Sequence, residues 1–184
     1  MSFSLAPRFA LIALAAALLS ACASSRSLDQ STADFGANTD LKATLFTDRT
    51  HDYADLDLTI YEGRVLLSGT MRSEKGRAAA VANAQEADGV DDVIDEIVIA
   101  DKTSFGQGFE DGRIDQTLRA KYITDGKVRS GDYKISVSRG VVYLLGAPRS
   151  KDELARAIEI ARNTSGVERV VSHLIVRTKP EAAQ

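Results

Sequence analysis

Few residues of this chain could carry covalent or coordination chemistry. Its 184 residues include one cysteine, Cys22, and two histidines, His51 and His173. A lone thiol excludes an internal disulfide framework and a cysteine-built metal centre. Two histidines far apart in sequence give no footing for a metal site or a catalytic triad. No serine sits in a nucleophile-elbow pattern. Asp91-Asp92 and Asp95-Glu96 lack the Asp-x-Asp-x-Asp-Gly loop that calcium favours. Gly106-x-Gly108, in TSFGQGFEDG, follows no βαβ unit and is no dinucleotide loop; it reads as a flexible connection. His173 reads as a surface or packed strand residue. We therefore expect no enzyme activity, no metal and no cofactor.

Cys22 is the exception. It ends MSFSLAPRFALIALAAALLSAC, in which Arg8 is followed by an apolar run from Phe9 to Leu19. That run is too short to span a bilayer and has the length of a secretory signal core. Leu19-Ser20-Ala21-Cys22 resembles the bacterial lipobox, where small side chains precede the cleavage point. The resemblance implies a signal peptide over 1–21, a diacylated Cys22 thiol and acylation of the freed amine. One acyl chain holds only marginally, at roughly 0.8 kcal/mol per buried CH₂, whereas two or three anchor firmly. Ala23 follows in place of the Asp that retains many such lipoproteins at the inner membrane, which favours the outer membrane, periplasmic side. Residues 22–37 are rich in Ser, Ala and Asp and read as a lipidated tether.

The elements that follow are written twice. A shift of 77 residues superposes Gly63, Val65, Leu67 and Gly69 on Gly140, Val142, Leu144 and Gly146, and Gly89-Val90 on Gly166-Val167. In each copy a helix comes first; Ile114, Leu118 and Tyr122 form one apolar stripe. Two strands follow, with Gly63 or Gly140 supplying the positive φ of a tight hairpin. Ser73 or Ser150 starts a second helix, and Ser150 with Glu153 has capping-box spacing. Gly89 and Gly166 stand where a helix C-cap wants the left-handed region. Glu96–Ala100 and His173–Arg177 close the copies as third strands. The expected class is α+β: two tandem α-β-β-α-β units over 38–100 and 113–178, a linker over 101–112 and a tail over 179–184. Val141 to Leu145 is apolar on both strand faces, so the face away from the helices needs a cover; we expect the other copy to provide it.

Leu58-Thr-Ile-Tyr-Glu-Gly63-Arg-Val-Leu-Leu-Ser-Gly69 and Ile135-Ser-Val-Ser-Arg-Gly140-Val-Val-Tyr-Leu-Leu-Gly146, each followed by a helix and Gly-Val, resemble the BON domain. A lipobox before two such units resembles the dual-BON outer-membrane lipoproteins. The resemblance implies a non-enzymatic protein supporting envelope integrity and binding anionic phospholipid through the first helix of the second copy, here Arg113 to Tyr122. Arg113 stands where a well-known member has tryptophan; Phe105 and Phe109 lie just upstream.

Charge supports the same half independently. Residues 23–100 hold seven Lys/Arg against fifteen Asp/Glu, a net of −8; residues 101–184 hold fifteen against eleven, a net of +4. The whole-chain charge of −3 gives no case for nucleic acid. Near an anionic bilayer each Lys or Arg contributes about 1 kcal/mol. The phospholipid-binding candidates are Arg113, Ile114, Arg119, Lys121, Tyr122, Lys127 and Arg129. The alternative is a structural adaptor that binds envelope or cell-wall assembly proteins under osmotic or envelope stress. The anchor carries its own expectation: Cys22→Ala leaves the chain unacylated, and it moves from the membrane to the soluble fraction on cell fractionation.

Overall fold

The computed structural model describes Asp34, Gly36, residues 41–43, residues 53–100 and residues 105–177. The signal segment, Cys22 and the greater part of the tether lie outside the described residues. Asp34, Gly36 and residues 41–43 are helical. Then come β1 (Leu56–Tyr61), β2 (Arg64–Met71), α1 (Glu74–Gln85), β3 (Asp92–Ile99), α2 (Phe105–Thr124), a 3-10 turn at Ser130–Asp132, β4 (Tyr133–Ser138), β5 (Val141–Gly146), α3 (Lys151–Arg162) and β6 (Arg169–Leu174). The sheets run β1-β2-β3 and β4-β5-β6. In each, the hairpin is antiparallel and the third strand lies parallel to the central one. The register repeats at the 77-residue offset: Val65 faces Val93, and Val142 faces Val170.

The hairpins close as expected. Glu62 and Gly63 have φ of 50° and 73°, and Arg139 and Gly140 have 52° and 74°. Positive φ at both central residues is a type I′ turn, whose twist matches the strands it joins. Gly69 and Gly146 also have positive φ. A Cβ on Gly146 would lie 2.2 Å from the Asp132 carbonyl oxygen, so the backbones can approach there only without a side chain. Ser73 and Ser150 are N-caps, their hydroxyls accepting from the N–H of Gly76 and Glu153 at 3.1 Å.

Four details differ from the sequence expectation. The third strands start at Asp92 and Arg169, four residues before Glu96 and His173, because backbone pairing to β2 and β5 extends through Val93-Ile94 and Val170-Val171, apolar pairs flanked by polar residues that interrupt the alternation. The helix C-caps are Glu86 and Asn163; Gly89 and Gly166 serve the turn three residues further on, with φ of 77° and 91°. The Glu153 carboxylate accepts from the N–H of Arg149 and Arg129, not from that of Ser150, so only half of the capping box forms. Finally, α2 begins at Phe105, so residues 105–112 are helical and not a loose connection. Gly106, Gly108 and Gly112 weaken helix propensity, which hides this turn from the sequence.

Helices cover one face of each sheet. Leu58, Ile60, Val65 and Leu67 meet Ala80 and Ala84 of α1; Ile135, Val142 and Leu144 meet Ile114, Leu118 and Tyr122 of α2 and Ala157 and Ile160 of α3. The opposite faces meet each other. Tyr61 and Leu66 of the first copy pack with Tyr143, Leu145 and Ala147 of the second, with Ile94 and Val171 at the rim. The other copy is the cover that the two-faced β5 requires. Polar contacts join the copies within and around this seam: buried Ser68 Oγ and Ser136 Oγ at 2.7 Å, and, partly buried, His173 Nε2 and Glu96 Oε1 at 2.9 Å and Arg177 Nη2 donating to Tyr61 Oη at 3.1 Å.

Two outcomes follow from the seam. Tyr143→Ala opens a cavity between the sheets and lowers stability by roughly 3–5 kcal/mol, read by urea unfolding, with the single transition splitting as the copies uncouple. Burial, then the neighbouring Glu62 charge, push the Tyr61 phenol up to about 12. A phenol that ionises near 10 when unfolded therefore contributes stability that is complete below about pH 10 and lost as pH rises toward 12. Tyr61→Phe makes that alkaline loss shallower in unfolding curves recorded across the window.

Candidate functional site

The second copy carries the cationic surface, and α2 is its longest element. Two devices place this helix. Its stripe of Ile114, Leu118 and Tyr122, none more than 1% exposed, packs on the sheet. Tyr122 Oη donates to the Ala157 carbonyl at 2.9 Å, and its ring meets Tyr133 edge-on with centroids 5.2 Å apart. Burial pushes the Tyr122 phenol up.

The second device is a carboxylate absent from the sequence reading. Buried Asp111 accepts from the N–H of Arg139 at 2.8 Å and of Gly140 at 2.9 Å. In the first copy buried Asp34 accepts from the N–H of Glu62 at 2.8 Å and of Gly63 at 3.0 Å. A non-glycine residue in the left-handed region costs roughly 1–3 kcal/mol. A hydrogen bond to a charged group contributes about 1.5–3 kcal/mol, so the two bonds outweigh the strain and tie helix to hairpin. The signal was present: Asp34 and Asp111 are 77 apart, the offset of the repeat.

The docked stripe corrects two of the binding candidates. Ile114 and Tyr122 belong to the core and have no surface to offer a ligand. The exposed side of α2 is different. At 100° per residue, positions 109, 113, 116, 120 and 123 share the face opposite the stripe, and all five residues are exposed. Phe109 is 66% exposed and Ile123 is 67% exposed. The sequence stripe pointed inward, so Ile123 went unnoticed; its position off that stripe was the available sign.

The cationic candidates divide. Arg113 lies on the outer face and pairs with Glu110 at 2.9 Å. Arg119, on one flank, pairs with Asp115 at 2.7 Å and donates to the Ile135 carbonyl at 2.8 Å. Lys121, on the other flank, donates to the Asn163 carbonyl and Thr164 Oγ1. Lys127 is exposed just beyond the helix, and Arg129 is half-buried, its N–H donating to Glu153. Because α2 itself holds three acidic and three basic residues, the positive field comes from its surroundings: Lys127, Arg129 and Arg139. Beside its last turn a cleft of about 330 Å³ is lined by Lys121, Asp125, Arg156 and Glu159. The Lys127 N–H and the Arg156 guanidinium hold the Asp125 carboxyl below its ordinary value. Among the described residues there is no group of three or more metal-ligating side chains, and no helix is long and apolar enough to cross a membrane.

This duplicated architecture is that of the BON domain, whose family model matches residues 33–101 and 110–178. The chain belongs to the BON-domain family, with two domains in tandem. It is 33% identical over 111 residues to the outer membrane lipoprotein DolP of Haemophilus influenzae, covering 60% of this chain and 57% of that protein. It is 31% identical over 123 residues to an uncharacterized protein of Anaplasma centrale, covering 66% of this chain and 82% of that one. A 21 kDa hemolysin of Actinobacillus pleuropneumoniae is 30% identical over 120 residues, covering 64% of this chain and 60% of that protein. The chain thus spans somewhat under two thirds of the length of DolP and of the hemolysin.

Removing the Asp111 clamp tests how α2 is held. Asp111→Ala leaves the buried Gly140 N–H and the part-buried Arg139 N–H unpaired and lowers stability by about 1–3 kcal/mol, read by thermal unfolding. Asp111→Asn loses less, because its amide oxygen still accepts one of the two bonds.

Proposed function

We infer that the chain is a non-enzymatic envelope lipoprotein that binds anionic phospholipid with the outer face of α2 and supports outer-membrane integrity. One observation carries this reading: Phe109 and Ile123, each about two-thirds exposed, flank Arg113 on one helix face of the cationic copy. Their spacing of 14 residues places them about 21 Å apart along the helix at about 1.5 Å per residue. A helix lying in the headgroup plane would bury both apolar ends and set Arg113 among phosphates. Arg113 exchanges an exposed pairing with Glu110, a contact contributing about 0–1 kcal/mol, for a charge-assisted bond to phosphate. The resemblance to DolP, named as an outer membrane lipoprotein, supports the compartment, and acyl chains on Cys22 would keep the helix near its ligand.

Flotation of the full chain with vesicles tests the reading. Vesicles containing phosphatidylglycerol bind more strongly than phosphatidylcholine alone, and added salt weakens the difference. Phe109→Ser with Ile123→Ser, or Arg113→Glu with Lys127→Glu, weakens binding at least tenfold. Equal binding to both vesicle types removes the proposal. Recovery of a defined protein partner by crosslinking in cells, undiminished by the charge reversals, favours the adaptor instead.

A further inference from the structure

The two copies differ in charge at their hairpin ends. At the 77-residue offset Glu62, Gln85, Asp88 and Asp92 correspond to Arg139, Arg162, Ser165 and Arg169. Each set gathers around its I′ turn. In the first copy the Asp91 N–H donates to the Gly63 carbonyl at 2.7 Å; in the second the Glu168 N–H donates to that of Gly140 at 2.9 Å. Asp91 and Glu168 are the pair that keeps its sign. The same fold therefore ends in an acidic turn in one copy and a basic turn in the other.

These ends lie at opposite poles of the molecule. β6 starts beside the second turn, with Val141 facing Arg169. Eight residues later the Arg177 guanidinium meets Glu62 in the first turn. At about 3.3 Å per residue this separates the poles by roughly 26 Å, more than twice the Debye length of about 10 Å at 0.1 M salt. Neither pole can neutralise the other. Across the seam the ion pairs are His173 with Glu96 and Arg177 with Glu62, and within the first copy Arg64 stands 3.8 Å from Asp92. Glu62 and Asp92 are therefore engaged, and the open carboxylates of the acidic pole are Glu86, Asp88 and Asp91. Among the described residues no ion pair engages Glu86, Asp88 or Asp91 at the acidic pole, or Arg139 or Arg162 at the basic one.

We propose that these poles are an interaction surface whose partner is a second copy of this chain, the acidic pole of one molecule receiving the basic pole of the next. Such a head-to-tail contact is heterologous and does not close on itself, so it extends into rows. The first half of α2 adjoins the basic pole, because Asp111 holds the Arg139–Gly140 turn and the Arg113 guanidinium reaches Gly166, so a row on a membrane leaves free chiefly the Ile123 end of the helix. The proposal does not depend on lipid binding by α2.

Sedimentation velocity of the full chain in an uncharged detergent tests it. At low salt the apparent mass rises with protein concentration, and 0.5 M salt abolishes the rise. Glu86→Lys/Asp88→Lys/Asp91→Lys, with two basic poles, and Arg139→Glu/Arg162→Glu, with two acidic poles, each weaken self-association at least tenfold. An equimolar mixture of the two variants associates again, which a folding defect would not produce. The single changes Asp88→Lys and Arg162→Glu move association in the same direction by less. The proposal is overturned if the unaltered chain keeps a constant mass at low salt, if either reversal leaves association intact, or if the mixture stays monomeric. It fails equally if the basic pole binds phosphatidylglycerol vesicles while the chains remain single in detergent.

Discussion

A three-stranded sheet with helices on one side has a second side, and in this protein that side is apolar. The whole arrangement rests on covering it. Leu66 and Tyr143 occupy equivalent positions in the two copies and are 0% and 2% exposed. A unit of about sixty residues buries only about 60% of the surface its unfolded chain exposes. Burying a large side chain is worth roughly 1.5–3 kcal/mol, so the five residues sealed between the sheets are a substantial share of what either copy could muster alone. Duplication within one chain supplies that cover at every concentration.

Around this seam the copies keep their local geometry and vary what they display. Both retain the positive-φ turn, the carboxylate that clamps it and the parallel third strand. Asp34 and Asp111 do the same work 77 residues apart because a left-handed non-glycine residue needs compensating bonds wherever it occurs. Charge is free to diverge because it sits on surfaces that neither core uses.

For the functional surface, the core sets what is available. The apolar stripe of α2 is consumed in holding the helix to its sheet, and Ile114 and Tyr122 go with it. The residues left over for the proposed ligand are Phe109, Arg113 and Ile123. A helix that is apolar at both ends of its outward face and cationic between them and beyond suits an interface that is itself part hydrocarbon and part phosphate.

Much of this was legible in the residues alone. The duplication, the α+β order, the I′ hairpins, the serine N-caps and the need for a cover over β5 are local or periodic features. Such features are dictated by backbone sterics and side-chain alternation within a few positions. The first two turns of α2, the early start of the third strands, the Asp111 clamp and the inward fate of Tyr122 were not legible. Each depends on a partner 20 or more residues away, and glycines or polar residues mask the local signal. The tertiary structure alone decided which side of α2 faces out and that the two hairpin ends point apart, because both follow from how separate segments pack and not from the preference of any one of them.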